Sequence, residues 1–294
     1  MLPGFKGHLL SVAFVEARLP AIAVPADAER LRRELLAWRA RSAMLGPAST
    51  PGTILQSAAA PLCAALGFDA PAAIEPAPPA VAATLRAGSR AVALLVAPWG
   101  EPLDPLWRLA VGQAARRSAP WCLLFDGLHL RILDASRLYA RRHAEFDLDL
   151  AIDHPPSLTA LWAVMGSPAL TAQPDEARSL HALVAASDRH AAGVCRSLRD
   201  GVLAASGDVL GALTARIPAD LGHAFEQSLT IVYRILFLLF AEARALVPLW
   251  HPIYRESYSL ESLRDVAERA TRASGLWDAL RAIARLAHSG CRAG

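Results

Sequence analysis

The spacing of apolar residues along this chain changes period, and each change marks an element. Between Ala28 and Ala43, Leu31, Leu35 and Trp38 recur on one helical face, with Arg30, Arg33, Glu34 and Arg41 elsewhere. That pattern predicts an amphipathic helix. Thr50 to Leu66 is helical again, entered at Pro51 and stopped by Gly67. Proline dominates Pro71 to Pro79, which reads as a loop or a sheet edge. Arg90 to Ala97 is a continuous apolar run, as in a strand buried on both faces, and Pro98-Trp99-Gly100 stops it. Leu103 to Arg117 reads as a helix, and Trp121 to Phe125 and Leu128 to Leu133 read as strands. Asp126-Gly127 between them predicts a two-residue hairpin turn. From His143 to Leu150, Phe146, Leu148 and Leu150 alternate with Glu145, Asp147 and Asp149, which predicts a strand with one solvated face.

Beyond residue 155 only helical spacing remains. Asp175 to Leu213 forms one or two helices, with Gly207 or Gly211 as the break. Ala219 to Val247 is an apolar helix ended by Pro248. Ser259 is placed to cap Leu260 to Ala273, and Ser274 to cap Leu276 to Ala287, whose Leu276, Leu280, Ile283 and Leu286 make a core stripe. The predicted class is α+β, a small mixed sheet flanked by helices and followed by an all-helical domain. The regions are 1–45, a helical segment; 46–155, the sheet domain; and 156–294, the helical domain.

Composition narrows this picture. Hydrophobic residues make up 54% and charged residues 19% of 294, enough for a large core and against extended disorder. The net charge of +3 is carried almost wholly by arginine, too weak a bias to establish a nucleic-acid partner by itself. Cys63, Cys122, Cys195 and Cys291 form no Cys-x-x-Cys, so reduced thiols in a cytoplasmic protein are expected, with no structural zinc. The start of the sequence lacks the charged head and apolar stretch of a signal peptide. Leu229 to Val247 could pass for a membrane span, but Arg234, Glu242 and Arg244 argue for a helix buried in protein, its charges ion-paired with one another or, since Glu242 and Arg234 are two turns apart, each paired with other helices.

Candidate chemistry is sparse. Lys6 is the sole lysine, in a Gly-Phe-Lys-Gly turn, and no two glycines are spaced Gly-x-Gly. A phosphate-binding loop and a dinucleotide-binding turn are thereby excluded. The acids Glu145, Asp147, Asp149 and Asp153 read as a solvated strand face, and His181 and His190 lack the spacing of a zinc pair. Trp99, Trp107, Trp121, Trp250 and Trp277 read as core. A basic group, Arg116, Arg117, Arg131, Arg141, Arg142 and His143, is the candidate DNA-contacting set, although for His143 and its neighbours an exposed basic strand end is the plainer reading.

Several segments together resemble a known family. Ala119–Asp134 (APWCLLFDGLHLRILD) is similar to a segment where an Asn-Gly hairpin precedes Arg-Leu, and Arg141–Leu148 (RRHAEFDL) to the strand after it. Phe225–Pro248 (FEQSLTIVYRILFLLFAEARALVP) resembles that family's signature helix, and Tyr254–Leu263 (YRESYSLESL) follows it. The family is the large Type IIG-like restriction-modification DNA methylases, close to methylases of phage-exclusion systems.

The resemblance implies a nuclease-like PD-(D/E)xK fold over 46–155 and a helical connector after it. It also implies a following adenine methylase domain that binds S-adenosylmethionine. Asp153-His-Pro-Pro-Ser157 does not substitute for that domain's Asn-Pro-Pro-Tyr motif, so the chain reads as an amino-terminal piece with no cofactor of its own. In active members an acid and a lysine lie on the strand matching Arg90–Ala97, and here both are missing. Glu75 stands for the upstream acid, Gln113 matches a glutamine of active relatives, and Glu101 and Asp104 are further candidate metal ligands. The expectation is a DNA-engaging coupling module without an intact catalytic motif, partnered by DNA and by a methylase domain or subunit, with no membrane. The alternatives are a metal-dependent endonuclease using Glu75, Glu101 and Asp104, and a protein-interaction scaffold of a defence complex.

Overall fold

The computed structural model describes residues 2–22, 25–87, 90–136, 141–173, 176–215, 220–269 and 275–290. The chain divides into two compact units, Met1–Val194 and Cys195–Gly294.

In chain order the first unit contains β1 (Phe5–Gly7), α1 (Val12–Ile22), α2 (Pro25–Ser42), α3 (Pro51–Ile54) running through a π turn into α4 (Ala60–Ala65), β2 (Ala72–Ala77), β3 (Ala80–Ala87) and β4 (Arg90–Val96). Then come α5 (Trp107–Arg116), β5 (Trp121–Phe125), β6 (His129–Asp134), β7 (His143–Asp147), α6 (Leu148–Asp153), α7 (Pro155–Met165), α8 (Ser167–Thr171) and the start of α9 (Leu180–Thr214). The second unit holds the rest of α9, α10 (Leu221–Ala243), α11 (Pro252–Ser257), α12 (Leu260–Arg269) and α13 (Leu276–Ser289).

The class is α+β, and the sheet is larger than predicted, with seven strands in the order β1-β7-β6-β5-β4-β3-β2. Every pairing is antiparallel except β4 with β5, which α5 joins as the crossover a parallel pair needs. β4 is buried on both faces, as its apolar run requires. Val92, Leu94 and Val96 face the helices α1, α2, α3, α4 and α7, while Ala93, Leu95 and Ala97 face Leu106, Trp107, Ala110 and Ala114 of α5 and its entry turn. Leu31, Leu35 and Trp38 fill the first of these layers, and the Trp38 indole donates to the Ala58 carbonyl at 2.9 Å. Residues before 46 thus supply a strand and a cover to the same sheet, and α7 beyond 155 packs on it too.

Several elements depart from their sequence reading. Proline-rich 72–77 is the edge strand β2, the second of its two readings, while β3 has no sequence counterpart, because Ala80–Ala87 is mostly small residues without a strong period. Phe5–Gly7 is a strand, not a turn, with Lys6 in register with Glu145. Gly7 sits where a Cβ would lie 2.3 Å from the His143 carbonyl oxygen. The hairpin tip is shifted by one residue. Gly127 (φ +95°) and Leu128 are its central pair, and Asp126 holds it from within, its Oδ1 accepting from the N–H groups of Leu128 (2.8 Å) and His129 (2.6 Å).

β7 stops at Asp147, whose carboxylate caps α6 by accepting from Leu150 N at 3.0 Å. Glu145 is buried, not solvated, and Asp149 and Asp153 face Arg39 at 3.9 and 3.0 Å. His154 caps α7 through Ser157 N, a structural use for the His-Pro-Pro-Ser segment.

In the second unit α9 runs unbroken through Gly207 and Gly211, 35 residues in all. Ser259 caps α12 by accepting from Ser262 N at 3.1 Å, while Ser274 lies outside the described residues. Only Ile283 of the α13 stripe is fully buried, meeting Leu238 and Leu260 in a small core. α10 is not the buried helix that its apolar length predicts: Phe225, Tyr233, Phe237, Leu239 and Phe240 are all exposed. By length and composition it could cross a membrane, with Arg234 and Glu242 inside the span. Glu242 pairs with neither arginine, because it accepts from the Tyr254 hydroxyl (3.1 Å) and Leu260 N (2.8 Å). Arg244 instead lies over the Phe240 ring, 5.6 Å from its centroid. Trp121 is core, as read, but Trp250 (80% exposed) and Trp277 (54% exposed) are not.

Candidate functional site

The fold sorts the sequence candidates into two clusters, one at each side of the sheet. The first is at the β2 edge. Glu75 on β2 and Gln113 on α5, separated by 38 positions, are brought together by Arg117, which follows the last turn of α5. Its guanidinium donates to Glu75 Oε1 (3.0 Å), Thr84 Oγ1 (3.0 Å), Gln113 Oε1 (2.5 Å), the Gln113 carbonyl (3.2 Å) and the Ala73 carbonyl (3.4 Å). A guanidinium has five N–H donors, and here all five have acceptors. The Arg117 side chain is 9% exposed, so its donors are turned inward, while Glu75 keeps 44% of its side chain exposed. The Ala73 carbonyl is presented by a break in the β2–β3 register, where Ala73 takes φ +48°, an unfavourable conformation for a residue with a Cβ.

Beside the node lies a groove of about 390 Å³, walled by the Pro76–Pro78 corner on one side and α5 on the other. Arg108, Gly112 and Arg116 recur along its α5 wall at a spacing of four residues. Gly112 leaves the wall open, since a Cβ there would have no neighbour within 4 Å. Arg108 and Arg116 face solvent and form no ion pair among the described residues. Eight residues of helix set them about 12 Å apart, the axial rise of three to four nucleotides on one DNA strand at about 3.4 Å each. Sequence reasoning missed Arg108, although its four-residue spacing to Gly112 and Arg116 was there to read.

The second cluster lies across β6 and β7, on the part of the same sheet face where the apolar core against α5 gives way to charge. Arg131 is paired with Glu145 at 2.7 Å through Nε and 2.6 Å through Nη2, and with Asp104 at 2.6 Å through Nη1. That pairing and the charge of Arg131 hold the Asp104 carboxyl below its usual range. His143, two residues before Glu145, is half-buried. Burial, then the Arg131 charge, depresses its basicity, as does His8, whose ring is centred 5.1 Å away. Arg142 is drawn inward, donating to both oxygens of Asp188 (3.0 and 2.6 Å) and to the Leu9 carbonyl (2.9 Å). Arg141 stays exposed, at φ +44°.

Of the six proposed DNA contacts, Arg117, Arg131 and Arg142 are therefore committed to internal partners, Arg116 and Arg141 remain open, and His143 lies between. Glu101 is exposed, Glu75 is paired with Arg117 and Asp104 with Arg131, so the proposed acids share no partner among the described residues. Among the described residues no three His, Cys, Asp or Glu side chains are arranged to hold a metal. Glu75, Glu101 and Asp104 are not brought together as ligands of one divalent ion. No family model, curated protein or solved structure matches this chain.

Proposed function

We propose that this chain is the DNA-engaging, coupling part of a restriction-modification or phage-defence adenine methylase, built on a nuclease-like fold that no longer cuts. The carrying observation is the node at Arg117. It pairs one oxygen of Glu75 and the side-chain oxygen of Gln113, the two side chains the resemblance would assign to cleavage, with a single arginine whose donors are all used. The succession α4, three antiparallel strands, α5 and a parallel β5 supports the nuclease-like reading, and β4 carries neither acid nor lysine along Ala91–Val96. Arg108 and Arg116 supply the contact. Two guanidinium groups with no internal partner, beside a wall left open at Gly112, suit phosphates about three to four nucleotides apart on one strand, which arginine binds in bidentate fashion. S-adenosylmethionine binding belongs to a following methylase domain or a partner subunit, since this chain has no Gly-x-Gly turn to cradle it.

Duplex binding measured by fluorescence anisotropy over a range of salt tests the proposal. Each phosphate contact adds about 0.9 to the slope of log affinity against log salt. Arg108→Ala with Arg116→Ala is expected to weaken binding to all sequences alike and to flatten the slope by about 1.8. A slope unchanged by the double substitution refutes the assignment to this groove, and a wild-type chain that does not bind duplex refutes DNA engagement.

A further inference from the structure

The second unit contains a larger hollow that the proposed function leaves without a role. It is about 730 Å³, lies between α10 and α13, and opens into a smaller one of about 190 Å³ that shares Arg234, Leu238, Arg281 and Ala284 with it. The two walls differ in chemistry. The α10 wall presents Tyr233 and Phe237, 63% and 60% exposed, one helical turn apart. The α13 wall presents Arg281, Arg285 and His288, and Arg234 completes the rim from α10. Among the described residues no carboxylate lines the hollow. Arg281 has one exposed partner, Asp278, at 3.9 Å, and Arg234 and Arg285 have none among the described residues. Trp277 (54% exposed) stands at the smaller hollow, four residues before Arg281.

Exposed rings lose contact with water only if something flat or apolar covers them, and unpaired arginines gain only from an anion. We infer that this groove binds single-stranded nucleic acid, with bases stacked on Tyr233 and Phe237 and phosphates against Arg281, Arg285 and Arg234. Stacking is indifferent to base identity because every base has a π-face, and the cationic wall tracks the backbone. Arg281 and Arg285 sit one turn apart on α13, the same spacing as Tyr233 and Phe237 on α10, and all four line the hollow. An acidic amphipathic helix would satisfy the same charges. It is about 10–12 Å wide and would lie on aliphatic side chains, which gather at the smaller hollow (Ile231, Ile235, Leu280), whereas the larger hollow offers Leu238 and Ala284 beside the two exposed rings. The inference does not rest on the proposed duplex contact, since it uses none of the same residues.

The test is anisotropy of a labelled oligodeoxythymidine, which forms no duplex, with the full chain carrying Arg108→Ala and Arg116→Ala so that the groove beside α5 is silent. Binding is expected to persist in that background. Tyr233→Ala and Phe237→Ala are each expected to weaken it about five-fold or more, while Tyr233→Phe and Phe237→Trp retain it. Arg281→Ala with Arg285→Ala is expected to flatten the salt slope by about 1.4. Circular dichroism of each variant checks the helical content, and the ring-conserving variants separate a lost contact from a lost fold. Absence of oligonucleotide binding overturns the inference, as does an affinity indifferent to both ring deletions. Displacement of the oligonucleotide by a glutamate-rich amphipathic peptide that binds more tightly would overturn it in favour of a protein partner.

Discussion

Replacing Arg131 by methionine probes the charge cluster on the sheet most sharply. The Arg131 side chain is 8% exposed and the Glu145 side chain 10%, and they meet at 2.6 Å in the interior of a seven-stranded sheet. Methionine keeps the unbranched stem and removes the charge, which strands a buried carboxylate. Losing one partner of a buried pair costs about 3–5 kcal/mol. Asp104 adds little, because its carboxylate is 81% exposed and water replaces the lost contact. With a urea dependence of about 2–3 kcal/mol per molar, the midpoint is expected to fall by about 1–2.5 M. Adding Glu145→Leu removes the stranded charge, and the double variant is expected to recover most of the loss, since an apolar pair of similar volume is neutral or stabilising. Urea unfolding followed by tryptophan fluorescence reads the sheet directly, because Trp121 on β5 is buried there. A single-variant shift below about 0.3 M (a fraction of the usual cost of an uncompensated buried charge) would refute the reasoning, as would a double variant no more stable than the single.

Three further outcomes follow from the geometry. His143 has a depressed pKa, so below its ordinary value of 6.5 the unfolded chain takes up a proton that the folded chain resists. Its contribution is complete above pH 6.5 and is lost as the pH falls through the folded value. His143→Gln is expected to flatten the acid side of a plot of urea midpoint against pH, and an unchanged profile counts against the burial of this ring beside Arg131, Glu145 and His8. Burial pushes the Cys63 and Cys122 thiols up to about 12, so Ellman's reagent is expected to label neither in the native chain and both in denaturant, while exposed Cys195 reacts at once. Gly127→Ala places a Cβ 2.3 Å from the Trp99 ring at φ +95° and is expected to cost at least about 1 kcal/mol, read as a lowered Tm; an unchanged Tm would mean that the hairpin tip is not held against Trp99.

What could be read in advance depended on whether a local pattern had a single structural meaning. Leu31, Leu35 and Trp38 lie on one face under any packing, and the unbroken apolar run from Val92 to Ala97 fits few places other than a central strand. β3 carried no such sign, because its position is fixed by seven-residue pairing to β4 and not by its alanine-rich sequence. Glu145 alternates correctly for a wet face, yet Arg131, fourteen residues earlier, draws it inward; that partnership is tertiary and leaves no local mark. The same holds for the candidate site. Glu75 and Gln113 were named separately, but their junction depends on Arg117 folding back across α5, a contact set by the sheet edge and the helix end together. The apolar length of α10 suggested burial, and Tyr233 and Phe237 are exposed, so that face of α10 is uncovered among the described residues.

The central claim is that the sheet unit engages DNA without cutting it, because Arg117 occupies the acid that cleavage would need. Incubating supercoiled plasmid with the full chain and magnesium or manganese, then running one gel before and one after protease treatment, tests both halves together. The account predicts a retarded band before protease and intact supercoiled plasmid after it. Nicked or linear plasmid that disappears with Glu75→Ala would contradict it.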